Sequence, residues 1–179
     1  MLEEVIIAGF GGQGLMLMGR LLAYAGMLEG RKVAWMPSYG PEMRGGTANC
    51  TVIISSEEIA SPIVTNPKTV IAMNKPSLDK FESSIQKDGL IVLNNSLIDQ
   101  EVKRDDIRVL KIPANDIANK LGNLRVANMV TLGAYVKKSG VVKLESIFKA
   151  LEKVLAGKNQ KILDLNKVAL KKGEDIAKE

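Results

Sequence analysis

Glu4-Val5-Ile6-Ile7-Ala8-Gly9-Phe10-Gly11-Gly12-Gln13-Gly14 is the stretch that decides the fold class. A short apolar run that ends at glycines reads as a strand buried on both faces, because such a strand has no wet side to alternate with. The glycines that follow permit a tight turn, and the apolar stretch from 15 to 28 then reads as a helix. Strand, glycine turn and helix together open a parallel α/β unit. Outward from this unit, strands are expected at 31–36 (closed by Pro37), 47–54, 69–74, 89–94 and 108–113, with a short extended piece at Ile63-Val64. Helices are expected at 77–85, capped by Ser77, and at 115–121, 125–138, 144–155 and from 161 to the end. Strands alternating with helices predict an α/β fold: a three-layer, Rossmann-like, mostly parallel sheet with helices on both faces. No repeat and no dividing linker is visible, so residues 1–179 are read as a single domain.

Composition removes several function classes. The chain of 179 residues has one cysteine, Cys50, and no histidine. Ser-His-Asp and Cys-His catalysis and His-based zinc sites are therefore excluded, and one thiol cannot ligate an iron–sulfur cluster alone. Metal ligands and a catalytic set within this chain are expected to be none. Net charge is +5 from 25 basic and 20 acidic residues, well mixed along the chain. There is no basic run with interleaved aromatics, which argues against nucleic acid. The acidic start and the broken apolar stretch at 15–28 show neither a leader nor a membrane span, so a cytoplasmic protein is expected. Cys50, in an apolar strand, is read as a buried, inert thiol.

Two helical stretches carry almost no charge. In Leu15–Leu28 the only charged residue is Arg20, and after Arg125 the next helix has none until Lys137. A surface helix usually keeps a polar face. Two accounts stand open: cover by another subunit, or a central place in the chain's own helix layer. By contrast, the stretch from 161 onward alternates Lys with Asp and Glu around Ile162, Leu165, Val168 and Ile176, as a helix with one solvated face does.

Gly9, Gly11 and Gly14 fit the G-x-G-x-x-G dinucleotide fingerprint, in the strand-to-helix context the motif requires. Free amides at a helix start attract an anion. The fingerprint also expects an acid near the end of the second strand to hold the ribose, and Val33-Ala34-Trp35-Met36-Pro37-Ser38 supplies none. A tight crossover turn is therefore the favoured reading over a bound dinucleotide. The same absence, with no histidine, argues against an autonomous NAD-dependent dehydrogenase.

Ser38-Tyr39-Gly40-Pro41-Glu42-Met43-Arg44-Gly45-Gly46-Thr47 places a phenol, a carboxylate and a guanidinium in a loop after the second strand. Open α/β sheets put ligand contacts at such strand ends, and an arginine there can hold a phosphate or carboxylate bidentately. A structured turn with surface charges is the plain alternative.

Taken with Gly9–Gly14, Ser61-Pro62 and Asn128-Met129-Val130-Thr131-Leu132-Gly133-Ala134, this loop closely resembles the gamma subunit of 2-oxoacid:ferredoxin oxidoreductases. The likeness covers nearly the whole chain. The Pro-Glu-Met-Arg-Gly-Gly-Thr form is most similar to the 2-oxoglutarate and branched-chain 2-oxoacid types. The resemblance implies a subunit, without a complete active site, of a complex that oxidatively decarboxylates a 2-oxoacid, 2-oxoglutarate first among the candidates. Such a complex forms the acyl-CoA and passes electrons to ferredoxin. It further implies alpha and beta partner subunits, with a ferredoxin-like delta subunit as a further candidate. Thiamine diphosphate, Mg2+, the iron–sulfur cluster and coenzyme A would lie on or with those other subunits. Gly11, Gly12, Gln13, Gly14, Tyr39, Glu42 and Arg44 become candidate contacts to coenzyme A or to a partner subunit. The alternative is a stand-alone nucleotide-binding or regulatory α/β protein.

Overall fold

The computed structural model describes residues 1–39 and 47–177. Its sheet has six strands in the order β2-β3-β1-β4-β5-β6. These are β1 (Leu2–Phe10), β2 (Lys32–Tyr39), β3 (Thr47–Ser55), β4 (Thr69–Ala72), β5 (Leu90–Asn94) and β6 (Arg108–Ile112). The helices are α1 (Leu15–Leu28), α2 (Lys75–Phe81), α3 (Ala114–Lys120), α4 (Ala127–Ser139), α5 (Leu144–Val154) and α6 (Gln160–Ile176).

The parallel part is β1-β4-β5-β6, and β3 runs antiparallel to both β1 and β2. Thus β3 alone opposes the rest, and the sheet is mixed with a parallel majority. The reason lies in chain length. A parallel crossover needs a dozen or more residues, and only the seven residues 40–46 separate β2 from β3, so the two strands pair antiparallel. Their register runs from Lys32 opposite Ser55 to Tyr39 opposite Ala48. Pro37 does not end β2. It sits opposite Cys50 on the outermost strand, where a missing N–H is tolerated. Ile63-Val64 forms no strand.

Strand pleating sends alternate side chains to opposite faces. Val5, Ile7, Cys50, Val52, Ile54, Ile71 and Val92 join the larger core, beneath α1, α3, α4, α5 and α6. Ile6, Ala8, Val70, Ala72, Ile91 and Leu93 join the smaller one with Leu78 of α2 and with Ile85, Ile98 and Ile107 from the connecting segments. Helices therefore lie on both faces, but unequally. The second face is covered over β1, β4 and β5, whereas Met36 of β2 stays 39% exposed.

The first face is two helices deep. Every residue of α4 from Ala127 to Val136 is buried. Its outer side is closed by α6, through Gly133 and Gly173: a Cβ on Gly133 would run into the Leu170 carbonyl, and one on Gly173 into that of Val130. The two backbones touch because neither glycine has a side chain. The charge-poor α4 is thus central in this chain's own helix layer. The charged helix that covers it is the one the sequence read as half-solvated.

One buried polar knot ties α4 to the sheet. Thr69 Oγ1 donates to Glu3 Oε1 at 2.7 Å, and Tyr135 Oη donates to the same oxygen at 3.2 Å. Lys68 Nζ lies 3.2 Å from the other carboxylate oxygen. Burial, and then the Glu3 charge, push the Tyr135 hydroxyl pKa well above its usual value.

Candidate functional site

The parallel strands end at one edge, and there the chain changes sides. After β1 the chain turns onto the first face as α1; after β4 it turns onto the second as α2. The crevice between those two strand ends is where ligands bind open α/β sheets.

The glycine turn occupies this crevice and is braced by side chains. Gln13 Oε1 accepts the Phe10 N–H at 2.6 Å, while Gln13 Nε2 donates to the Met73 carbonyl at 3.1 Å, clipping β1 to β4. Gly9 leaves room for this clip: a Cβ there would strike Gln13 Oε1 and Met73 Cβ. Gly12 and Gly14 adopt φ of 96° and 75°, which glycine reaches without strain. Gly14 is the helix cap of α1, and its carbonyl accepts from Asn128 Nδ2 at 3.2 Å. A Cβ on Gly14 would collide with the Asn128 amide, so the turn and the start of α4 fit only with glycine there.

Next to the turn is a cavity of about 210 Å³ lined by Gly12, Gln13, Met73, Asn115, Leu124, Arg125 and Ala127. Asn115 comes from the start of α3, Arg125 from the 3-10 turn before α4. Asn94, fully buried at the end of β5, holds α3 in place: its Oδ1 accepts the Ala114 N–H at 3.2 Å, and its Nδ2 donates to Asn115 Oδ1 at 2.8 Å. Asn74 does the same for α2, accepting from the Ser77 N–H at 2.9 Å. The cap of α2 is therefore Asn74, with Ser77 inside the first turn. The carboxamide of Asn74 reaches forward from an extended residue to the first turn, which a serine already in the helix cannot do.

Of the sequence-derived candidates, Gly11, Gly12, Gln13 and Gly14 lie together at this edge. Tyr39 closes β2, its backbone opposite Ala48. Glu42 and Arg44 lie outside the described residues. The second strand of a dinucleotide fold neighbours the first, which brings its ribose-binding acid close. Here β3 lies between β1 and β2, so the end of β2 is two strand spacings away, roughly 10 Å. The fold therefore departs from a Rossmann arrangement at the position where the missing acid matters. Arg125, Asn115, Asn94 and Asn128 were not picked out as site residues by sequence reasoning. Asn128 had a signal, since it opens the Asn-Met-Val-Thr-Leu-Gly-Ala stretch; the others act through tertiary placement that no local pattern announces.

Cys50 is buried between β3 and α1, and its thiol donates weakly to the Leu15 carbonyl at 3.5 Å. Burial pushes the thiol pKa up to about 12, although the neighbouring Trp35 indole and Gly19 backbone pull it down. A lone, protonated, buried thiol does not fit an iron–sulfur cluster. Among the described residues no group of three or more His, Cys, Asp or Glu is placed to hold a metal ion, and no helix is long and apolar enough to cross a membrane.

The family model described as pyruvate ferredoxin/flavodoxin oxidoreductase matches residues 4–176. The chain belongs to this family. Among members of the pyruvate ferredoxin/flavodoxin oxidoreductase family, it is 41% identical over 177 residues to the ketoisovalerate oxidoreductase subunit VorA of Methanothermobacter marburgensis. That match covers 98% of this chain but 36% of VorA, so the chain spans little more than a third of the relative's length. It is 35% identical to the 2-oxoglutarate synthase subunit KorC of Methanocaldococcus jannaschii, covering 100% of this chain and 96% of KorC. The crystal structure of the keto/oxoacid ferredoxin oxidoreductase gamma subunit from Geobacter sulfurreducens superposes with a TM-score of 0.83 at 29% identity, covering 98% of each chain.

Proposed function

We propose that this chain serves as the gamma subunit of a cytoplasmic 2-oxoacid:ferredoxin oxidoreductase and has no complete active site of its own. The complex would oxidise a 2-oxoacid to its acyl-CoA, lose carbon dioxide and pass electrons to ferredoxin. What carries the reading is likeness to KorC and to the Geobacter gamma subunit over nearly the whole of all three chains. The chemistry agrees. The one thiol is buried, and the glycine turn is clipped by its own Gln13 rather than held open. Thiamine diphosphate, Mg2+ and the iron–sulfur cluster then belong to the alpha, beta and ferredoxin-like chains.

2-Oxoglutarate is the substrate proposed. A branched-chain 2-oxoacid is the second reading, favoured by the higher identity to VorA. The contribution of this chain lies at its strand-end edge. The amides of Gly11, Gly12 and Gly14, held in shape by Gln13, would face the coenzyme A pyrophosphate or a partner subunit together with Tyr39, Glu42 and Arg44. Free amides at a helix start and a guanidinium suit a phosphate.

The test is reconstitution with the alpha, beta and ferredoxin-like chains of the source organism. Reduction of a viologen dye that needs this chain, coenzyme A and 2-oxoglutarate supports the proposal. The same dependence with ketoisovalerate alone moves the substrate to the branched-chain class. Arg44→Ala is expected to raise the KM for coenzyme A or to weaken assembly; no change in either removes Arg44 from the site. A soluble chain that recovers no partner and is stabilised by NAD or ATP alone would instead mark a stand-alone nucleotide binder.

A further inference from the structure

The apolar side of α1 that the chain leaves uncovered forms a groove of about 370 Å³ with β2 and the end of α5. Val33 and Trp35 of β2 face it, and Tyr24 and Met27 of α1 form one wall, the Met27 side 60% exposed. Arg20, the one charge of α1, and Lys153 stand at its margin. Among the described residues no carboxylate lines the groove, and neither cation has an ion-pair partner.

We propose that this groove seats an apolar segment flanked by carboxylates, carried by the larger polypeptide that corresponds to the remainder of VorA. The inference rests on the subunit reading above and adds to it the face and the chemistry of the contact. Two observations select the occupant. The first is charge: an apolar groove bordered by two unpaired cations is complementary to an apolar segment bearing acids. A second copy of this chain fits poorly, because a two-fold contact sets the same patch against itself and brings the Arg20 and Lys153 cations of both copies, with no carboxylate, into one interface. The second is the domain's setting in its relatives. This chain's counterpart is 36% of VorA, whereas its match spans 96% of KorC. One and the same fold is therefore met joined to a larger body and as a chain of its own length, so it needs a face that closes onto that body in either arrangement. The charge-poor α4 is already sealed by α6; the side of α1 remains.

The experiment co-expresses the tagged chain with the source organism's own chain that matches VorA beyond this domain, and weighs the partner recovered. Met27→Glu places an acid in the groove at an exposed side chain, and a buried unpaired charge at the contact should cut recovery at least about thirtyfold. Arg20→Glu with Lys153→Glu should cut it about tenfold. Val168→Glu, on the exposed side of α6, should leave recovery unchanged. Circular dichroism and thermal melting confirm that each variant is folded. Recovery by Met27→Glu equal to the original chain overturns the groove and leaves the subunit reading standing. Failure of the original chain to recover any partner overturns both. If Met27→Glu abolishes self-association, or sedimentation with anionic phosphatidylserine vesicles, while partner recovery is unchanged, the occupant is a second copy or a lipid surface and the proposal is wrong.

Discussion

Helices α1 and α4 look alike as sequence and end in different circumstances. Both are apolar almost all round, and both follow a turn at the strand-end edge. Helix α4 is buried from Ala127 to Val136 because α6 lies on it, glycine against backbone at Gly133 and Gly173. Helix α1 packs on the sheet and α5, but leaves Met27 60% and Leu28 49% exposed, with Tyr24 half-buried. Low charge in a helix therefore says that the helix is covered, not by what. For α4 the cover is this chain's own; for α1 it is incomplete among the described residues.

Substitutions in the two helices should separate these cases. Met129→Glu buries a carboxylate at a fully enclosed position of α4, and the chain is expected not to fold, as read by circular dichroism and solubility. Gly133→Val should force α6 away and lower stability by about 3 kcal/mol or more in urea melts.

Tyr135→Phe removes the hydroxyl that ties α4 to Glu3 and should cost about 1–2 kcal/mol at neutral pH. Its pH dependence has a definite sign. The folded pKa of Tyr135 is raised, so the unfolded chain loses this proton first. The stability it contributes is whole below about pH 10 and falls as pH rises above that. The phenylalanine variant should show a shallower alkaline decline. Cys50, raised from 9.0 to about 12, adds a loss of the same sign that begins near pH 9 and is complete by about pH 12, and Cys50→Ala should remove it.

Gln13→Ala unclips β1 from β4 at the glycine turn and should cost about 1–2 kcal/mol. The smallest effect belongs to the exposed side of α1. Met27→Glu in the isolated chain should change stability by no more than about 0.5 kcal/mol. A large loss there would mean that α1 is as enclosed as α4.

Much of this architecture is legible in the sequence. Val5–Ala8 is a run with no polar break, and it becomes the central strand. The β-branched 47–54 stretch becomes β3. Orientation was less legible. The direction of β3 follows from a separation from β2 too short for a crossover, and Pro37 lies within β2 because that strand has a free edge. One cap was misread although its signal is local: Asn74, extended and just before Lys75-Pro76, takes the role expected of Ser77. The glycine turn was visible, but its clip by Gln13 and its brace by Asn128 depend on β4 and α4 arriving beside it, which no local spacing encodes.

Hydrogen–deuterium exchange on the free chain and on its complex with the larger partner reads the cover of α1 and of α4 separately. New protection should appear over α1 and β2 on assembly, with α4 protected in both states and α6 unchanged. Protection gained over α6, or none over α1, would contradict a partner seated on α1.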